Sequence, residues 1–189
     1  MADAFKASHH GFLADVVFGV CMKIVAFDVS SACTGLCVFE DGYLQRDTVS
    51  TISPDKKLTM GGKLFYFEQQ IKKVIVKHKP DNIILEDIFR GPNIKTFKHL
   101  AMFRAIVFKV CFEKLKKDPI TFMPSEARRM VGCGIKKEDA FAFVINKYNL
   151  TNYVFDNDND RADAIVLGLA YFSGNKIIKP IKKRKKSKK

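Results

Sequence analysis

The 189-residue sequence predicts an α/β fold, a mixed five-stranded sheet with helices on its faces. Three observations lead there. Apolar runs at residues 24–27 and 83–85 are too short for buried helices and read as strands covered on both faces. Segments 60–78 and 100–115 carry apolar residues at spacings of three and four, which marks amphipathic helices. The early strands follow one another as a meander and the later ones alternate with helices, an order that suits one layered domain.

The elements are read in chain order. Residues 23–28, Lys-Ile-Val-Ala-Phe-Asp, form the first strand. Ser30, Ser31 and Gly35 punctuate a turn into a second strand at 36–39. Glu40-Asp41-Gly42 is an Asp-Gly hairpin signal, and 43–50 is the third strand. Leu64, Phe67, Ile71, Val74 and Ile75 define a helix that Pro80 ends. Residues 82–86 make a fourth strand closed by a carboxylate. Gly91-Pro92 breaks the chain before a long helix marked by Leu100, Phe103, Val107 and Val110. Residues 119–123 read as the fifth strand. Ser125 is the expected N-cap of a short helix carrying Arg128 and Arg129. A loop at 131–134 leads to a helix over 136–148, and a polar loop at 152–159 precedes a last helix over 161–172.

A chain with 47% hydrophobic residues and 17 Phe can bury a core, since domains of about 150 residues already hide roughly 70% of their unfolded surface. Disorder is excluded for most of it. Five Cys, an odd number with no Cys-x-x-Cys pair, argue against a disulfide framework or a zinc ribbon and for an intracellular, reducing compartment. No stretch reaches the ~18 apolar residues of a membrane span, so no membrane partner is expected. Residues 1–22 hold Phe12, Leu13, Val16, Val17, Phe18 and Val20, interrupted by Asp15. They are expected to form a poorly ordered leader, with Met22 resembling a second start. Residues 23–175 form the domain, and 176–189 a flexible basic tail.

The net charge of +13 is unevenly spread. Residues 90–137 carry 12 basic and 3 acidic side chains, residues 138–175 carry 2 and 6, and the tail has 9 basic and none acidic. Such a tail is commonly no more than a solubilising extension. An internal basic segment beside an acidic one is more specific, because an enzyme acting on phosphodiesters needs cations for the backbone and carboxylates for metal.

Four carboxylates carry the chemistry. Asp28 ends one apolar strand and Glu86 another, where an unpartnered carboxylate costs several kcal/mol. Asp160 and Asp163, three apart at a helix start, share a face. Gathered together they would repel one another unless cations intervened, and hard oxygen ligands suit Mg²⁺, with Mn²⁺ as substitute. Two such ions about 4 Å apart can activate a water and stabilise the leaving oxygen of a phosphodiester.

The run Ile24-Val-Ala-Phe-Asp-Val-Ser-Ser-Ala-Cys-Thr-Gly-Leu-Cys-Val38, then Ile83-Ile-Leu-Glu-Asp87, then Asp160-Arg-Ala-Asp-Ala-Ile-Val-Leu-Gly168, resembles the RuvC branch of the ribonuclease H-like superfamily. It is similar in particular to viral and phage Holliday-junction resolvases. The resemblance implies a ribonuclease H-like sheet and a Mg²⁺-dependent endonuclease that cuts four-way DNA junctions symmetrically as a homodimer. It makes Asp28, Glu86, Asp160 and Asp163 the catalytic metal ligands, with two ions per site. It likens Lys136 and Lys137 to phosphate-contacting basic residues, and it places the chain in the cytoplasm or a viral factory. The basic tail leaves a nuclear location open.

Phe89, Arg90, Lys95 and Lys98, together with Arg128 and Arg129, complete the candidate DNA contacts; a solvated helix face is the plain alternative for the lysines. Asp87 is expected to point away from Glu86, as successive strand residues do. Gly35 is open to two readings, close approach of a phosphate or a hairpin glycine with positive φ. Cys33 and Cys37 lack further soft ligands for a metal. Three other functions share parts of the pattern: an RuvX- or ribonuclease H-like nuclease acting on RNA or RNA–DNA hybrid, an actin-like ATPase, and a non-catalytic nucleic-acid-binding module. The ATPases duplicate the domain, which 189 residues cannot hold.

Overall fold

The computed structural model describes residues 21–88 and 93–175. Five strands form one sheet: β1 (Lys23–Asp28), β2 (Thr34–Glu40), β3 (Tyr43–Ile52), β4 (Asn82–Glu86) and β5 (Ile120–Phe122). Their spatial order is β3-β2-β1-β4-β5. The meander β1-β2-β3 pairs antiparallel, while β4 joins β1 and β5 joins β4 in parallel. The mixed sheet is therefore as the sequence predicts.

Among the described residues five helices cover it: α1 (Met60–His78), α2 (Ile94–Leu115), α3 (Pro124–Val131), α4 (Lys137–Tyr148) and α5 (Phe155–Asn175). Strand alternation divides the core between two faces. Val25, Phe27, Ile83 and Leu85 pack with Phe67, Ile71, Phe103 and Val107 of α1 and α2. Ile24, Ala26, Cys37, Phe39 and Ile84 pack with Ala127 of α3, Val144 of α4 and Ile165 of α5. By the same alternation Asp28 and Glu86 project to the α5 face, whereas Asp87 projects to the α2 face.

Several boundaries differ from the sequence expectation. Helix α2 starts at Ile94 rather than near 100, because the Asn93 side chain accepts hydrogen bonds from the N–H groups of Lys95 and Thr96. Its first turns are mostly solvent-facing, with only Ile94 and Phe97 apolar among residues 94–99, too few to mark the helix by period. Helix α5 begins at Phe155, not Arg161. Asp158 accepts a hydrogen bond from the Val154 N–H at 2.8 Å, satisfying a donor that a helix start leaves free. The polar run read as a loop is thus the first turn and a half of a helix, and Asp160 lies inside it. Ser125 is not an N-cap; Met123 holds that position and Pro124 opens α3, where its fixed φ costs nothing.

Helix α5 lies unusually close to the sheet at two glycines. A Cβ on Gly35 would stand 2.0 Å from the Asp160 carbonyl oxygen, and one on Gly168 would stand 2.3 Å from the Phe39 ring. Both readings of Gly35 are corrected by this: it lies within β2 without a positive φ, and what approaches it is the backbone of α5. The substitution Gly35→Ala forces that backbone outward, and overpacking of this kind costs about 1–3 kcal/mol. Gly61→Ala in α1, where a Cβ meets nothing within 4 Å, raises stability by a fraction of the ~1 kcal/mol helix difference between the two residues. Denaturant midpoints of the two variants measured side by side should move in opposite directions.

Candidate active site

The site is built where β1 and β4 end. Phe27 pairs with Leu85 in parallel register, so the next residues, Asp28 and Glu86, are neighbours across the two strands. Asp28 also stands opposite Gly35 of β2, the position on which the Asp160 backbone rests. Asp160 and Asp163, one helical turn apart, complete the group. The turn leading out of β1 is held by its own side chains: Thr34 Oγ1 accepts from the Ser30 N–H at 3.1 Å and donates to the Ser30 carbonyl at 3.0 Å. Thr34 is fully buried, which fixes Gly35 beside Asp28.

Two cations lean into this cluster. Lys137 Nζ lies 3.0 Å from Asp163 Oδ2 and 3.7 Å from Asp160 Oδ1. Arg128 Nη2 donates to Asp163 Oδ1 at 3.2 Å, and its Nη1 donates to the Ile135 carbonyl at 3.1 Å. Arg128 therefore ties α3, the loop after it and α5 together. Lys137 and Arg128, expected as DNA contacts, are here engaged with the carboxylate cluster, and the Lys137 side chain keeps 39% of its surface exposed.

The electrostatics follow from crowding and burial. Burial, then the charges of Glu86 and Asp163, hold the Asp28 carboxyl well above the ordinary carboxylate range, with Lys137 pulling the other way. Burial and the Asp163 charge push Glu86 up to about 7, against a hydrogen bond with Asp28 and the pull of Arg128 and Lys137. Burial disfavours the Lys137 ammonium, yet the surrounding Asp163, Asp28 and Asp160 more than offset it and raise its pKa. Among the described residues, four like charges are thus held together with two cations, Arg128 and Lys137, beside them.

That deficit is the test of a divalent metal. Among the described residues no three His, Cys, Asp or Glu side chains already surround one ion position, and both oxygens of Asp163 are turned to Arg128 and Lys137. The donor set nevertheless fits a hard cation in kind: carboxylate oxygens only, convergent from two strands and one helix, in a field that favours added positive charge.

A family model for the crossover junction endodeoxyribonuclease RuvC matches residues 24–171. The chain belongs to the RuvC family. It is 30% identical over 124 residues to the RuvC crossover junction endodeoxyribonuclease of Brachyspira hyodysenteriae, covering 64% of this chain and 73% of that protein. With that of Dictyoglomus thermophilum it shares 22% over 153 residues, covering 79% and 96%. Among solved structures, Thermus thermophilus RuvC in complex with a Holliday junction substrate superposes with a TM-score of 0.69 at 14% identity, over 82% of this chain and 96% of that one. The yeast mitochondrial Holliday junction resolvase Ydc2 does so with 0.59 at 12%, over 80% and 78%. The two structures share the ribonuclease H-like fold. The viral and phage affiliation suggested by the motifs has no counterpart among these relatives, which are bacterial and yeast.

The remaining candidates disperse. Lys95 and Lys98 are exposed on the first turns of α2, and Arg129 and Lys136 are exposed beside the site. Phe89 and Arg90 lie outside the described residues. Asp87 turns away from Glu86, as expected, and pairs with Arg104 of α2. The part that sequence reasoning missed is the inward turn of Arg128 and Lys137, for which local sequence carries no signal because the contact joins three helices.

A pH dependence follows from Glu86. Its folded-state pKa of about 7 exceeds the unfolded value, so its contribution to stability is complete below pH ~4.5 and is lost as pH rises through about 7. In chelator, the melting temperature should fall across that window. Glu86→Gln should flatten the fall, and excess Mg²⁺ should reverse it.

Proposed function

We propose that this RuvC-family endonuclease resolves four-way DNA junctions by metal-dependent phosphodiester hydrolysis, acting as a homodimer that makes paired symmetric cuts. The observation that carries the reading is the convergence of Asp28, Glu86, Asp160 and Asp163 at one end of the sheet, beside exposed basic residues. These four would hold Mg²⁺ or Mn²⁺, two ions per site. Bound there, the cations would supply an activated water and stabilise the leaving oxygen.

The chain's own residues do the rest. Arg128 and Lys137 orient Asp163 and keep the carboxylates from mutual repulsion. Arg129 and Lys136 on the rim, with Lys95 and Lys98 on α2, take the DNA backbone through sequence-independent phosphate contacts. Phe89 and Arg90, three and four residues after β4 in the sequence, would add contacts to DNA, and the basic segment 176–189 would add nonspecific attraction. Cleavage of the P–O3′ bond leaves 5′-phosphate and 3′-hydroxyl ends. The homodimer rests on apolar side chains left exposed on the α1–α2 layer, Phe65 at 66%, Met102 at 45% and Phe112 at 58%. A reducing intracellular setting is supported by five free thiols, of which Cys37, Cys111 and Cys133 are buried. Viral or phage recombination as the biological setting rests on the motif resemblance.

A synthetic four-way junction incubated with Mg²⁺ should show paired symmetric incisions when the cuts are mapped. Asp28→Asn and Glu86→Gln should each slow cleavage more than the 10–100-fold typical of residues that only support metal ligands, while junction binding persists. Equal rates for parent and variants, or cutting of RNA–DNA hybrid alone, would reject the reading. Arg129→Ala and Lys136→Ala should weaken junction binding and each reduce the salt dependence by about one phosphate contact. Phe112→Glu with Met102→Glu should give a monomer in sedimentation and abolish the pairing of the cuts.

A further inference from the structure

At the end of the sheet remote from the carboxylates lies an open cavity of about 890 Å³ that the catalytic reading does not use. Asp28 pairs with Gly35 at one end of β1, and Lys23 pairs with Glu40 at the other; the cavity is at the second end. Its apolar lining comes from Tyr43 and Leu44 of edge strand β3, Tyr148 of α4, and Leu169 and Phe172 of α5. Its charged lining residues are Arg46, Lys147 and, at the turn, Asp41; Arg46 and Lys147 make no ion pair among the described residues, so the lining is net basic. Tyr43 is 76% exposed, an unusual position for so large a side chain beside an apolar hollow.

The chain enters the domain at this cavity. The Met22 N–H donates to Asp41 Oδ1 at 2.8 Å, the Asp41 N–H donates to the Met22 carbonyl at 2.9 Å, and Cys21 Sγ donates to Glu40 Oε1 at 3.1 Å. Met22 itself packs against the α5-side core. Asp41 opens the turn that lines the cavity, so whatever precedes Cys21 departs from its rim.

We propose that residues 12–20 of the leader dock into this cavity. Phe12, Leu13, Val16, Val17 and Val20 recur at spacings of one, three, one and three, the pattern of an apolar stripe from which Phe18 alone of the segment's large apolar residues departs. Asp15 is the only formal charge between residues 7 and 20, and it complements Arg46 and Lys147. Nine residues span about 13 Å as a helix and roughly 30 Å extended, enough to cross the hollow from Cys21. Tethering makes the contact intramolecular, at an effective concentration in roughly the millimolar range, which favours the leader over a free partner of equal quality. The 176–189 segment also starts near α5's end, but its nine basic residues and no acidic one are repelled by the same Arg46 and Lys147.

Hydroxyl-radical footprinting of the full chain, read at Tyr43 and Phe172, tests the assignment. Both side chains should oxidise about two- to threefold more slowly in the full chain than in a chain lacking residues 1–20. Val16→Asp with Val17→Asp in the full chain should reproduce the faster oxidation, which keeps the test open if the truncated chain folds poorly. Equal rates in parent and both variants overturn the proposal. So does faster oxidation only on removal of residues 176–189, which makes that segment the occupant, or protection that rises with protein concentration, which makes it a second copy.

Discussion

Helix α5 touches the sheet backbone to backbone, and the site depends on that approach. A side chain as small as a methyl group on Gly35 would stand inside the Asp160 carbonyl, so the helix can settle only where β2 offers a glycine. Gly168 repeats the arrangement two turns on, against Phe39. Held at both points, α5 cannot tilt away from β1, and Asp160 and Asp163 are brought over the strand ends that carry Asp28 and Glu86. Ala162, Ala164 and Ala170 are buried in the core that α5 shares with the sheet, α3 and α4, which fixes the helix rotation as well, because small residues leave no slack for another orientation.

Close packing creates an electrostatic problem that the fold only half solves. Four carboxylates share a poorly hydrated space, and two cations, Arg128 and Lys137, face them. Replacing water by protein disfavours charge, and neighbouring carboxylates disfavour it further, so Asp28 and Glu86 keep their protons to higher pH than they would in water. The unmet demand for positive charge is the physical ground on which metal binding is proposed. It also explains why Arg128 and Lys137 are drawn inward, although a sequence reader places such residues on a DNA-facing surface.

The meander, the crossover strands and the two layers of helices were legible in sequence, because short β-branched runs and three-to-four spacing report burial directly. Helix starts were not. Asn93 and Asp158 begin α2 and α5 through side-chain hydrogen bonds within polar segments, where no apolar period marks the element. Asp28 and Glu86 stood out because a carboxylate ending an otherwise apolar strand needs a reason. The pairing of Asp87 with Arg104 was half visible: alternation shows that it leaves the site, but not what receives it.

Sequence by itself determined the fold class, the four carboxylates and the family, since each depends on residue type and order along the chain. Tertiary structure alone decided that Gly35 seats a helix rather than a phosphate, and that Arg128 and Lys137 serve the carboxylates. It also decided that a cavity opens beside Cys21 and Met22, where the described chain enters the domain. The reason is the same in each case. These relations join residues far apart in the chain, such as Gly35 with Asp160 and Arg128 with Asp163, and their distances are set by how layers pack, which no local pattern records.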